Sequence, residues 1–443
     1  MTRNQFWAVA EKIVTVLAVT FIVVWAFAPT ASAATKYKAL YQFTGGADGD
    51  QAWSSVVFDE AGDLYGTTEW GGAYGWGTVF KLTHNLDGSW TETVIHNFTG
   101  GADGAYPDHQ VLVFDATGNI YGTAGLGGDL NKQCYPSNWG PGCGVVFKLT
   151  PNPDGTWTQS VLYTFTGGKD GGVPAAPLTF DAAGNLYGKT AIGGGKGCPD
   201  YHGCGVIFKL SPNPDGSWTQ SVIHSFRGGR DGNFPDEGEL IFDGDGNLYG
   251  TTNLGGGKGC PQQQGCGVVF ELMPNADGTY KEKVLHRFGE GKEGGWIDGN
   301  LVFDADGNLY GTTMFFGAYG VGTVYRLSPK PDGSWSYKVI HQFKGGKDGA
   351  ESYAGLVIDA AGNLYGTTRH GGLYGYGTVF KLTPKPDGGW TERILHAFAA
   401  RPAAYACERL TLDAAGNVFG TTTHNDNDGG GNAGASVVFE ITP

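Results

Sequence analysis

The chain has 443 residues, of which 78 are glycine, 40% are hydrophobic and 13% aromatic. That apolar content excludes global disorder, and so much glycine without a G-x-y period excludes collagen and calls for many tight turns. A formal charge of −14 leaves no basic face for phosphates, which excludes a nucleic acid as partner.

The N-terminus reads as an export signal over residues 1–33. Arg3 and Lys12 precede an uncharged apolar run, Ile13 to Ala28, and Ala31-Ser32-Ala33 offers the small residues a signal peptidase requires. The run is shorter than the roughly 20 apolar residues of a membrane span. An uncleaved anchor is the competing reading. No cysteine stands at the cleavage site, against a lipid anchor, and no second long apolar segment follows. The expectation is a secreted, cell-surface or periplasmic protein with no membrane span after cleavage, acting as a monomer.

The first element predicted after the signal is a strand over Tyr37-Lys38-Ala39-Leu40-Tyr41-Gln42-Phe43. Seven copies of one unit then follow. Gly62-Asp63-Leu64-Tyr65-Gly66 recurs at 118–122, 184–188, 246–250, 307–311, 362–366 and 416–420. Each copy holds short runs of Val, Ile, Thr and aromatics bounded by Gly, Pro, Asn or Asp, the pattern of strands and turns. In the sixth copy these runs are Leu356–Asp359, Leu364–Thr368, Gly377–Leu382 and Trp390–Phe398. Four strands repeated seven times fit propeller blades. The C-terminal copy stops after its third strand, whereas the N-terminal segment matches a fourth strand such as Thr93–Phe98. The predicted fold is therefore all-β: a seven-bladed propeller over residues 34–443, its last blade closed by the N-terminal strand. The repeats run 54–98, 110–165, 177–226, 239–288, 300–343, 355–398 and 409–443 plus 35–43. A β-solenoid would not need a spare strand at one end and a missing one at the other.

Six of the seven cysteines form close pairs: Cys134 with Cys143, Cys198 with Cys204, and Cys260 with Cys266. In an exported chain these read as disulfides rather than zinc ligands, because the pairs fall in three different repeats. Cys407 is left as a free thiol.

The repeat F-D-x-x-G-N-L-Y-G-T-T … G-T-V-F-K-L-T-P … D-G-x-W-T resembles that of the choice-of-anchor tandem-repeat GloVer-containing proteins, over essentially the whole mature chain. The resemblance implies a bacterial surface or secreted protein and no enzymatic activity. Many such proteins carry a C-terminal sorting anchor. The last strand here is followed closely by Pro443, so free secretion is the expectation.

Residues that recur in every unit are explained by the repeat. His96, His224, His286, His341 and His396 share one place in the fourth strand and are expected to pack. Trp90, Trp157, Trp218, Trp335 and Trp390 follow turns. Asp59, Asp115, Asp181, Asp243, Asp304, Asp359 and Asp413 end each first strand, where a carboxylate accepts turn N–H groups. No motif calls for a cofactor. Asp-x-Asp-Gly-Asn at 243–247 and 304–308 reads as turn chemistry, since the later bidentate glutamate of a calcium loop is missing. Asp426 and Asp428, outside the repeat pattern, are the metal candidates, with calcium the ion they would suit.

Variation against the repeat carries the functional expectation. The loops between second and third strands are short and aromatic in blades one, five and six. Their candidate ligand-binding residues are Trp70, Tyr74, Trp76, Phe316, Tyr319, Tyr374 and Tyr376, with Phe315 and His370 beside them. Such rings stack on sugars or grip a protein, or else pack between blades. Three residues before each first-strand Leu or Val the blades read Trp53, His109, Ala175, Glu237, Asp298, Tyr353 and Cys407. Two positions later they read Ser55, Val111, Pro177, Glu239, Asn300, Gly355 and Arg409. A propeller would bring these to its channel mouth, making His109, Glu237, Glu239, Asp298 and Arg409 the candidate catalytic set. The expected function is an extracellular binding propeller for a glycan or surface protein. The alternatives are a propeller enzyme of lyase or lactonase type, working at the channel mouth, and a structural envelope component.

Overall fold

The computed structural model describes residues 35–134, 140–195, 198, 203–257, 260, 265–399, 404–423 and 436–443. The signal region and the candidate ligands Asp426 and Asp428 lie outside the described residues. Within Lys36–Thr442 the strands form seven four-stranded antiparallel sheets arranged as the blades of a β-propeller. Among the described residues there is no α-helix, only a 3-10 turn at Gly346–Asp348.

Blade six shows the build. Its strands are Val357–Ile358, Leu364–Thr368, Thr378–Pro384 and Trp390–Ala397, hydrogen-bonded in sequence order. The innermost strand is two residues long, shorter than the four-residue run in the sequence, because only Val357 and Ile358 pair with Tyr365 and Leu364. Asp359 leaves the ladder to organise the turn. Its Oδ1 accepts the N–H groups of Ala361 and Asn363, and its Oδ2 accepts the Tyr365 hydroxyl. Asp59, Asp115, Asp181, Asp243 and Asp304 do the same in their blades.

The central glycine of the repeat has a packing cause. A Cβ on Gly366 would stand 2.6 Å from the Phe380 ring, and the equivalent clashes are 2.6 Å at Gly66 with Phe80 and 2.7 Å at Gly420 with Phe439. The third-strand aromatic fills that space and is fully buried. It meets the last aromatic of the preceding blade edge-on: Phe43–Phe80, Phe98–Phe147, Phe165–Phe208, Phe343–Phe380 and Phe398–Phe439, with centroids 5.0–5.4 Å apart. Phe226–Phe270, edge-on, and Phe288–Tyr325, tilted, complete the set, so one aromatic contact joins each blade to the next.

Ring closure follows the predicted route. The N-terminal strand Lys36–Gln42 pairs antiparallel with Val437–Thr442, from Lys36 opposite Thr442 to Gln42 opposite Val437. It completes a sheet whose other strands are Val418–Thr422 and Thr411–Leu412. A bulge at Leu40 repeats the one found between third and fourth strands in the other blades, as at Val79/Phe80. The three cysteine pairs are disulfides, with Cα atoms 5.1–5.3 Å apart, and Cys407 is a buried free thiol. Three disulfides accord with an oxidising compartment. No helix among the described residues is long and apolar enough to cross a membrane.

Candidate functional site at the channel mouth

The link into each first strand starts with a residue in the left-handed region: Gln51, Tyr106, Val173, Phe234, Trp296, Glu351 and Tyr405, all with φ between 53° and 61°. An antiparallel bridge ties this segment to the start of the loop between second and third strands, as in Ala105–Leu126 and Ala350–His370. The two variable segments of a blade therefore share one face. The chain then turns inward to the ring positions. In five blades the core Leu or Val follows the left-handed residue by five positions; in blades two and four it follows by six. Both longer links contain Pro-Asp, in Tyr106-Pro107-Asp108-His109 and Phe234-Pro235-Asp236-Glu237.

The structure brings all five candidate catalytic residues to the lining of one pocket. His109, Glu237, Glu239, Asp298 and Arg409 meet there with Asn300, Tyr353, Cys407 and Glu408. Two clusters of contacts span the channel between non-adjacent blades. His109 Nδ1 is 3.1 Å from Glu408 Oε1, and its Nε2 is 3.7 Å from Glu237 Oε1. Arg409 Nη1 is 2.8 Å from Glu239 Oε1. The His109 and Glu237 side chains are only 16% and 21% exposed. Burial opposes charge on His109, but Glu237, Glu408 and Asp108 overcome it and hold the imidazolium well above its usual pKa. Burial pushes Glu237 well above the usual carboxylate range, and Asp298 up to about 7, with Asp236 adding to both shifts.

Two participants were not singled out from sequence. Asp236, pushed up to about 6 chiefly by burial, was detectable as part of the Pro-Asp insertions. Lys189 occupies the second-strand place held by threonine in the six other blades, and it is fully buried. Five of those threonines donate to a carbonyl of the next blade's link, as Thr67 does to Pro107, Thr312 to Ala354 and Thr421 to Ser54, whereas Thr367 Oγ1 has no partner. Lys189 Nζ donates likewise to the Glu237 carbonyl and carries a positive charge to the mouth. Burial lowers its pKa to about 8, against the pull of Asp236, Glu237 and Asp298. The signal was a lone lysine in a threonine column. Burial pushes the Cys407 thiol up to about 12, which disfavours the thiolate.

A cavity of about 200 Å³ adjoins the mouth and shares His109 with it. Trp53, Tyr106, Leu126, Val173 and Ala175 form its apolar walls, and Glu69, Asp108 and Asp236 its acidic ones. Trp53 stands 4.9 Å from His109 ring to ring. Trp53 Nε1, Asp236 Oδ1, Asp298 Oδ1, Asn300 Oδ1 and Arg409 Nε are buried without a hydrogen-bond partner on the protein. Buried polar atoms of this kind are satisfied by water or a ligand.

The aromatic loop residues divide. Trp70 and Trp76 pack on Tyr106, at 4.5 and 5.3 Å, and Tyr376 packs on Tyr405 at 5.9 Å. Phe316 is half-buried against the blade-four core. Tyr74, Tyr319 and Tyr374 project, 60%, 56% and 55% exposed. Packing between blades thus accounts for four of the seven, and three remain as a surface.

Residues 23–262 and 200–437 match the Gloeobacter/Verrucomicrobia repeat. The chain belongs to that repeat family. It is the family indicated by the sevenfold motif, and the match spans nearly the whole propeller. No curated protein matches this member of the family. Among solved structures, a gluconolactonase from Xanthomonas campestris is 18% identical over 67% of this chain and 81% of its own, with a TM-score of 0.37. The extracellular domain of a B. thetaiotaomicron protein described as a one-component system is 14% identical, with a TM-score of 0.52. That match covers 92% of this chain and 42% of the other. A fungal alcohol oxidase of the AA5 family, in complex with copper, has the same identity and TM-score and is covered to 76%. The last two likenesses are of fold alone.

Proposed function

We propose that this repeat protein is an exported binding propeller that takes the amine-bearing end of an extracellular ligand, an amino sugar in its simplest form, into the cavity beside the channel mouth. The observation that carries this reading is the composition of that cavity. Aromatic walls from Trp53 and Tyr106 stand beside the carboxylates Glu69, Asp108 and Asp236 in about 200 Å³. Aromatic faces and desolvated carboxylates both favour a cation, while the unpartnered Asp298, Asn300 and Arg409 atoms match hydroxyl groups. Tyr74, Tyr319 and Tyr374 offer stacking area for a longer glycan. Calorimetric titration with glucosamine, N-acetylglucosamine and glucose tests the reading. Glucosamine is expected to bind wild type and to be lost with Trp53→Ala. Equal binding of the uncharged sugars, or none of glucosamine, would overturn it.

A second reading, acid–base catalysis of the lyase or lactonase kind, is supported by the His109–Glu408 contact and by the lowered pKa of Lys189. It requires turnover of a lactone or uronide panel that His109→Gln abolishes while leaving the melting temperature unchanged.

A further inference from the structure

At six of the seven junctions between blades, three side chains meet: the residue at the fourth-strand histidine place, an acid from the following loop, and a fourth-strand residue of the next blade. Where the third place is glutamine, its amide finds a partner, although His96 Nε2, like His286 Nε2 further on, has none on the protein. Gln159 donates to the Asp103 carbonyl beside His96, and Gln220 donates to the Asp170 carbonyl beside Tyr163. Where it is Tyr337, the hydroxyl donates to the Glu293 carbonyl beside His286. Three junctions carry glutamate there instead, and two of them set it beside a histidine. Between blades three and four the trio is His224, Asp231 and Glu282; between five and six it is His341, Asp348 and Glu392. Glutamate there removes a donor and sets a second carboxylate against the first. Glu282 Oε1 and Glu392 Oε1 are left buried without a hydrogen-bond partner, as are both imidazole Nε2 atoms.

We infer that these two junctions each bind a divalent transition-metal ion, zinc by preference, through one imidazole nitrogen and two carboxylates. Ligands about 2.1 Å from a common ion lie about 3.4–3.6 Å from one another in tetrahedral or trigonal geometry. His224 Nε2 is 3.8 Å from Asp231 Oδ2 and 3.9 Å from Glu282 Oε2. His341 Nε2 is 3.7 Å from Asp348 Oδ2 and 3.4 Å from Glu392 Oε1. All three donor atoms of each trio lie within 4.8 Å of one another. One nitrogen and two carboxylates suit zinc and its neighbours, whereas calcium takes six to eight oxygens. Arg227 and Arg287 flank the first trio and Lys344 the second, which tempers its negative charge.

The junction between blades seven and one is an internal control. It has Tyr41, Asp48 and Glu92, with Glu92 Oε1 similarly unpartnered, but no imidazole. The full chain is stripped with a chelator, dialysed against micromolar zinc at pH 7.5 and assayed for bound metal by mass spectrometry. Glu282→Gln and Glu392→Gln are safe for folding, since glutamine fills that place at two other junctions. Each is expected to bind one equivalent fewer than wild type, the double variant two fewer, and Glu92→Gln the same number. Binding of both equivalents by either single variant overturns the assignment for that junction, and wild type without zinc overturns it for both.

Discussion

The blade junctions and the channel mouth are built from the same repeat, yet they use it in opposite ways. At a junction, equivalent residues do equivalent work: a central glycine admits a third-strand aromatic, and that ring meets the last aromatic of the preceding blade. At the mouth, equivalent positions carry Trp53, His109, Ala175, Glu237, Asp298, Tyr353 and Cys407, and their chemistry is collective. A closed ring turns seven local links into one central constellation. Repetition therefore supplies the stability, and departure from repetition supplies the candidate site.

The largest effect should come from the closing strand. Deleting residues 35–43 removes the outer strand partner of Val437–Thr442 and the Phe43–Phe80 contact. Loss of the folded monomer to aggregates is expected in size-exclusion chromatography, because the Val437–Thr442 edge is left bare and the ring is no longer closed. Next, Phe380→Ala should cost about 3–5 kcal/mol in denaturant unfolding, as for other buried rings. Removing the Cys134–Cys143 bridge by a double serine variant should cost less, about 2–3 kcal/mol.

The mouth should respond with the opposite sign. Asp298 is raised to about 7 from its ordinary value of 3.8, so the native state binds more protons than the unfolded chain between those values. Stability from this group is full below the lower value and is lost as pH rises through about 7. Asp298→Asn should therefore raise the melting temperature at pH 8 relative to wild type and change it little at pH 4. Glu282 and Glu392, raised to about 9, should make metal-free wild type less stable at pH 8 than at pH 7. The double glutamine variant should flatten that slope. The smallest effect belongs to the exposed loop tips: Tyr74→Ala should stay within about 0.5 kcal/mol of wild type.

The frame was legible in the sequence because every device recurs. Asp359, Gly366, Tyr365 and Phe398 each announce a role by returning at fixed spacing, and the spare strand at Tyr37–Phe43 announces the closure. The length of the innermost strand was not legible, since Asp359 follows two β-forming residues but spends its carboxylate on the turn. The ring around the channel was readable as a set of positions. Its ion pairs were not, because His109 meets Glu408 and Glu237 only through closure in three dimensions. Lys189 was hidden in a strand position that otherwise reads as routine, and the sequence left Trp76 open between ligand stacking and packing between blades, of which the structure shows packing on Tyr106.

The most direct test of the division between frame and mouth is the affinity for glucosamine of wild type, Asp236→Asn, and the triple variant Tyr74→Ala, Tyr319→Ala, Tyr374→Ala, measured by calorimetry at pH 7. The predicted result is a loss of at least about tenfold, or about 1.4 kcal/mol, for Asp236→Asn, with the triple variant unchanged. Wild-type affinity in Asp236→Asn, with binding lost in the triple variant, would move the site to the loop tips and contradict the account.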